Sequence, residues 1–120
     1  MKKKILFIED DMLITKLFNT RLTNEGFEVI SAEDGELGWE LFNKEQPDLV
    51  ILDLMIPKSS GLDVLKQIRS QDKKTPVIIY TVLADYKRVK DLKLKGATDY
   101  FVKVDTPPEK LVKKIKAYLT

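Results

Sequence analysis

Four short apolar runs in this chain each lead into a polar side chain that can do chemistry. ILFI (5–8) is followed by Glu9-Asp10-Asp11, LVIL (49–52) by Asp53, VIIY (77–80) by Thr81 and YFV (100–102) by Lys103. Gathered in one place, these groups form a chemical set. Crowded carboxylates repel one another, and a hard divalent cation such as Mg²⁺ relieves that repulsion with oxygen ligands. A carboxylate can attack phosphorus to give an acyl phosphate, and a metal ion beside it can orient and neutralise the phosphoryl group. A lysine opposite counters the new negative charge, and a threonine hydroxyl can hydrogen-bond a phosphoryl oxygen. Asp53 poses the question most sharply. VILDLMIP (50–57) reads like the inside of a sheet, and a buried carboxylate without a partner is costly.

Taken singly, each residue has a plainer reading. Asp53 can be a turn former at a strand end. Glu9-Asp10-Asp11 can open a helix, where acids favour the dipole. Thr81 can be an ordinary strand residue and Lys103 a solvated surface lysine. Only the conjunction points to chemistry, so the elements that position these residues matter.

The chain is 120 residues long and 43% hydrophobic, which suits one ordinary domain, residues 1–120, with one core. No apolar run approaches the ~20 residues of a membrane span. The start, MKKKILFIEDD, is basic and then apolar, but acids follow Ile8 at once, so no signal peptide is expected. There is no cysteine, which excludes disulfides and thiolate chemistry and fits the cytoplasm. There is no histidine, which excludes Ser-His triads and His-ligated metals. Charge is uneven: residues 1–86 hold 11 Lys/Arg against 15 Asp/Glu, whereas residues 87–120 hold 10 against 4. The basic end is either a set of solvated helix faces or a surface for an acidic partner.

Periods alternate along the chain. KILFIE (4–9) reads as a buried strand, and Ile14, Leu17, Phe18 and Leu22 mark one face of the following helix, which Gly26 stops. FEVIS (27–31) reads as a strand, and Asp34 begins a helix containing Leu37, Leu41 and Phe42. DLVILD (48–53) is the third strand, followed by a helix with Ser60 and Asp63 as capping residues and Leu62, Leu65 and Ile68 on its face. PVIIYT (76–81) is the fourth strand, and the helix near 85–95 has a weak stripe of Tyr86, Val89 and Leu92. Gly96 ends it, and TDYFVK (98–103) is the fifth strand. Thr106, Pro107 and Glu109 are expected to supply an N-cap, a first-turn proline and a capping-box acid for a last helix burying Leu111, Val112, Ile115, Tyr118 and Leu119.

Five βα units with strands apolar on both faces imply an α/β fold with a parallel sheet covered on both sides. In such open sheets ligands bind beyond the carboxyl ends of the strands. Strand two ends in Ser31-Ala32 with nothing comparable to offer, so it fits the margin.

With these motifs in hand, the chain resembles the receiver domain of two-component response regulators, the family that includes the stand-alone chemotaxis regulator. The resemblance rests on ILFIEDD (5–11), VILDLMIPKSSGLDVL (50–65), PVIIYT (76–81) and GATDYFVK (96–103), and covers essentially the whole chain. It implies a flavodoxin-like (βα)5 domain with strand order 2-1-3-4-5. It implies that Asp53 is the phosphoacceptor, that Glu9 and Asp10 are the acidic pair for Mg²⁺, and that Met55 lends a backbone carbonyl to the metal. Thr81 matches the switch hydroxyl, Lys103 the phosphate-pairing lysine, and Tyr100 the aromatic that turns inward when Thr81 moves. Pro57 and Gly61 match the turn after the acceptor strand, and Asp11 reads as a helix start.

Two departures stand out. The family usually has proline after the lysine, often in a cis peptide, and here Val104 follows Lys103. A non-proline cis bond costs ~3 kcal/mol, so a trans bond and an altered loop are expected. The family also favours a small residue after the switch hydroxyl; here Val82 and Leu83 follow, and with Met55 they are expected to hinder attacking water.

The resemblance implies a phosphorylation-dependent switch rather than a classical enzyme. A sensor histidine kinase or histidine phosphotransfer protein is the implied donor to Asp53, and self-dephosphorylation is slow. The output surface, formed by the fourth helix, fifth strand and last helix, coincides with the basic end: Lys87, Arg88, Lys90, Lys93, Lys95, Lys110, Lys113, Lys114 and Lys116. That face suits an acidic protein partner or self-association, and no helix-turn-helix argues for direct nucleic-acid binding. The alternative is a degenerate receiver acting as a phosphorylation-independent interaction module. An aspartyl-nucleophile phosphatase is disfavoured because Met55 stands where its second acid belongs. A nucleotide-binding flavodoxin-like protein is disfavoured because no GxGxxG or P-loop occurs.

Overall fold

The five apolar runs pair as one parallel sheet in the computed structural model, which describes residues 2–120. The strands are β1 (Lys4–Ile8), β2 (Glu28–Ala32), β3 (Leu49–Leu52), β4 (Val77–Thr81) and β5 (Asp99–Val102), in the order β2-β1-β3-β4-β5. Helices α1 (Met12–Asn24), α2 (Gly35–Glu45), α3 (Gly61–Gln71) and α4 (Tyr86–Leu94) make the crossovers. A 3-10 turn over Lys103–Asp105 leads into α5 (Pro108–Leu119). The expected order and edge position of β2 are both present.

Alternation along the strands divides the core into two layers. Leu6, Ile8, Val50 and Leu52 face one way and pack with Val64, Leu65 and Ile68 of α3, Phe42 of α2 and Leu92 of α4. Ile5, Phe7, Leu49 and Ile51 face the other way and pack with Phe18 and Leu22 of α1 and Leu111 and Ile115 of α5. The central strands are therefore apolar on both sides, whereas the marginal β2 and β5 are only partly buried.

Capping follows the sequence reading at α1, α2 and α3, and Asp85 adds a cap at α4. Asp11, Asp34, Ser60 and Asp85 each accept a first-turn backbone N–H. Gly26 and Gly96 adopt φ of +94° and +110°, the left-handed turns that stop α1 and α4. The last helix differs from expectation. Pro107 is its cap residue, Pro108 its first residue, and no side chain caps it, so Thr106 lies outside the helix and is buried. Tyr86, the first residue of α4, is 80% exposed rather than part of its stripe, and Leu92 is the buried anchor of that helix. Tyr118 is also exposed on α5, its hydroxyl donating to Asp99 of β5 at 2.8 Å. Leu17 is half-exposed on α1, leaving Phe18 and Leu22 as the anchors.

Candidate functional site

β1 and β3 are neighbours in register, so the residues just past their ends meet. Ile8 pairs with Leu52, and the Asp53 N–H donates to the Ile8 carbonyl at 3.1 Å. Glu9 and Asp53 therefore emerge side by side, both buried, with Asp10 exposed beside them. One carboxylate oxygen from each of Glu9, Asp10 and Asp53 lies within 4.8 Å of the others. Asp11 turns away to cap α1, accepting from Leu13 N at 2.9 Å and Ile14 N at 3.3 Å.

Lys103 reaches in from the far side. Its Nζ donates to Glu9 Oε1 at 2.5 Å and to Asp53 Oδ2 at 2.9 Å. The other Asp53 oxygen accepts the Met55 N–H at 3.1 Å, and Glu9 Oε2 accepts the Asp11 N–H at 3.1 Å. The buried carboxylates thus have partners, which answers the cost that VILDLMIP poses. Burial nevertheless pushes the Glu9 carboxyl up to about 7, against the pull of Lys103. For Lys103, burial alone would lower the ammonium, but its bonds to Glu9 and Asp53 outweigh burial and hold it above its ordinary value.

Thr81 closes β4, fully buried, and its Oγ1 has no hydrogen-bond partner among the described residues. A buried hydroxyl without a partner is uncommon, and this one is free to accept or donate to an incoming oxygen. Tyr100 stands two residues before the β5 end with its ring buried and its hydroxyl donating to the Leu83 carbonyl at 2.8 Å. Leu83 packs against the core, so of the two bulky residues after Thr81 only Val82 is exposed, along with Met55. All peptides among the described residues are trans, and the Lys103–Val104 segment forms the 3-10 turn.

The loop after β3 is pinned in two places. The Gly61 N–H donates to the Leu54 carbonyl, and the Gly35 N–H donates to the Pro57 carbonyl, both at 3.1 Å. A hollow of about 250 Å³ adjoins this edge, lined by Leu54, Met55, Ser60 and Leu83 among others, and a cleft of about 460 Å³ between α1 and α5, lined by Arg21, Glu25, Glu109, Val112, Lys113 and Lys116 among others, shares no residue with the acidic group. On the basic side, Lys95 pairs with Asp91 and Lys116 with Glu25. Among the described residues Lys87, Arg88, Lys90, Lys93, Lys110, Lys113 and Lys114 make no ion pair.

Sequence reasoning passed over one contributor, Tyr80. Its ring centroid lies 5.8 Å from Lys103 Nζ. The available signal was a hydroxyl-bearing aromatic in an otherwise aliphatic strand, next to Thr81.

The arrangement is that of a parallel α/β sheet with acids, a hydroxyl and a lysine at one edge, and comparison with known proteins bears on it directly. The family model described as the response regulator receiver domain matches residues 5–116. This chain belongs to that family. Receiver domains are phosphorylation-dependent signalling switches that bind Mg²⁺ at an acidic pocket and work with histidine kinases, and they are not classical enzymes. The chain is 44% identical over 119 residues to the probable transcriptional regulator ycf27 of Guillardia theta, covering 98% of this chain and 46% of that protein. It is 39% identical over 110 residues to the alkaline phosphatase synthesis transcriptional regulatory protein PhoP of Bacillus subtilis, covering 91% and 45%. The chain thus spans about half the length of these curated relatives. Among solved structures, the BeF3-activated receiver domain of Klebsiella pneumoniae RstA superposes with a TM-score of 0.91 at 31% identity, covering 98% of both chains. Vibrio cholerae chemotaxis protein CheY4 superposes with a TM-score of 0.89 at 29% identity, covering 98% of this chain and 99% of that one. As a receiver domain, the chain has no described helix long and apolar enough to cross a membrane.

Proposed function

We propose that residues 1–120 form one receiver domain that takes a phosphoryl group onto Asp53 from a partner phosphohistidine. The observation that carries this reading is the convergence of Glu9, Asp10, Asp53 and Lys103 at one sheet edge. The three carboxylates fit Mg²⁺ in chemistry: all donors are oxygens, hard anionic ligands of the kind that cation takes, and one from each residue lies within 4.8 Å of the others. Glu9, Asp10 and Asp53, with the Met55 backbone carbonyl, would hold the ion. Bound there, Mg²⁺ supplies charge neutralisation and orientation of the phosphoryl oxygens.

The chain's own groups do the rest. An Asp53 oxygen attacks phosphorus, the O–P bond forms as the P–N bond to the donor imidazole breaks, and the imidazole leaves with the bonding pair. Lys103, already 2.9 Å from Asp53, balances the added charge. The unpartnered Thr81 hydroxyl bonds a phosphoryl oxygen, which removes its unsatisfied state. Thr81 and the inward Tyr100 then couple the site to the surface of α4, β5 and α5, where the unpaired lysines suit an acidic protein partner or self-association. Direct nucleic-acid contact is not part of this reading. In this reading a histidine kinase or phosphotransfer protein is the donor, and the chain works in the cytoplasm.

Intact mass spectrometry after incubation with acetyl phosphate tests the reading. One phosphoryl adduct that requires Mg²⁺ and is absent from Asp53→Asn supports it. No adduct on the folded wild-type chain overturns it in favour of a phosphorylation-independent interaction module.

A further inference from the structure

The sheet gives Tyr80 and Thr81 opposite faces. Thr81 belongs to the phosphoryl site, while Tyr80 lies in the layer under α1 and α5. Tyr80 is nevertheless tied to the site by two contacts. Its hydroxyl donates to the Thr106 carbonyl at 3.1 Å in a buried bond that spans 26 residues. Its ring faces Lys103 Nζ at 5.8 Å, within the range of a cation–π contact. Between those two contacts runs the segment Lys103-Val104-Asp105-Thr106, where Val104 and Asp105 are exposed and the Thr106 N–H donates to the Lys103 carbonyl at 3.3 Å. Thr106 is the buried end of this turn, and no side chain caps the helix that follows.

Resting on the phosphoacceptor reading, we propose that Tyr80 is a positioning residue for Lys103. Its hydroxyl anchors the far end of the turn and its ring backs the ammonium, so Lys103 is held toward Glu9 and Asp53. Phe18 meets the Tyr80 ring edge-on at 5.6 Å and fixes the ring from behind. Burial keeps the Tyr80 phenol protonated and therefore a donor. Valine at position 104 leaves this turn without a rigid pyrrolidine ring after Lys103, and the Tyr80 tether supplies the constraint from the sheet.

Two readouts separate positioning from mere structural support. The first is solvent exchange of the Lys103 ammonium protons, read by NMR with the Lys4 ammonium, paired to Glu45, as internal reference. Tyr80→Phe, which keeps the ring, is expected to speed Lys103 exchange about fivefold, the loss of one net hydrogen bond, and leave Lys4 unchanged. Tyr80→Leu, which also removes the ring, is expected to speed it further. The second is the rate of phosphoryl uptake from acetyl phosphate at saturating Mg²⁺ in a double-mutant cycle. Tyr80→Phe is expected to slow uptake about fivefold with Lys103 present and to have no further effect in Lys103→Met. Unchanged Lys103 exchange in Tyr80→Phe overturns the proposal, as does an equal slowing in both backgrounds. If the wild type takes up no phosphoryl group, the phosphoacceptor reading fails, and the exchange measurement alone decides the role of Tyr80.

Discussion

Replacing Gly61 by alanine tests how the fold holds the acceptor strand end. Gly61 is the first residue of α3, and its N–H closes the loop back onto the Leu54 carbonyl at 3.1 Å. A Cβ there would stand 2.6 Å from Leu54 Cα and 3.0 Å from the Asp53 carbonyl carbon, and closer still to the Asp53 carbonyl oxygen. Carbon atoms rest at about 3.5–4.0 Å, so the junction must open by about 1 Å. All three atoms are backbone, so no side chain can swing away. The cost therefore falls at the upper end for overpacking, about 3 kcal/mol. At an m-value of about 1.5 kcal/mol/M, the urea midpoint drops by about 2 M. Gly26→Ala is the reference: nothing lies within 4 Å of its Cβ, but φ is +94°. It pays only the left-handed backbone strain of about 1 kcal/mol, a shift of about 0.7 M. Because the added Cβ would press on the Asp53 peptide itself, Gly61→Ala is also expected to slow the proposed phosphoryl uptake, and Gly26→Ala to leave it unchanged. A Gly61→Ala midpoint shift no larger than that of Gly26→Ala refutes the packing argument.

Three further outcomes follow from side-chain contacts. Asp72 is held below its ordinary range by the Thr75 hydroxyl, then by the Thr75 and Lys74 N–H groups. A depressed folded value means its contribution is present above the unfolded value of 3.8 and is lost as pH falls, so Asp72→Asn costs about 1 kcal/mol at pH 7 and less at pH 3 in urea melts. Tyr118 has its phenol pushed up to about 12 by burial and by its bond to Asp99. Its contribution is present below the ordinary value of 10 and fades as pH rises toward about 12, and ultraviolet titration of Tyr118→Phe should lack one late-ionising tyrosine. Val82 is 55% exposed beside Thr81, whereas Leu83 packs inward, so Val82→Ala alone is expected to shorten the acyl-phosphate lifetime about threefold, or ~0.7 kcal/mol of barrier. An unchanged decay rate in mass-spectrometric time courses removes steric shielding as its role.

The apolar runs and their periods determine the elements and the layered α/β class, while the strand order is what the family resemblance implies. A strand apolar on both faces is stable only in a sheet covered on both sides, so ILFI, LVIL and VIIY dictate the central strands and the two-layered core. Caps are local as well, which is why Asp11, Asp34 and Ser60 read correctly from neighbouring residues. The gathering of Glu9, Asp10, Asp53, Thr81 and Lys103 at one edge was legible for the same reason, since each follows a strand whose direction is shared.

Local reasoning fails where a distant element competes. Thr106 has the residue type of an N-cap, but the Tyr80 hydroxyl takes its carbonyl and the helix begins at Pro108. Tyr118 has helical spacing for the core, but the edge strand offers it Asp99 instead. The tie from Tyr80 to Lys103 is invisible in sequence because it joins residues from adjacent strands and a turn. Only the register of β4 beside β5, and the reach of one phenol across it, brings them together.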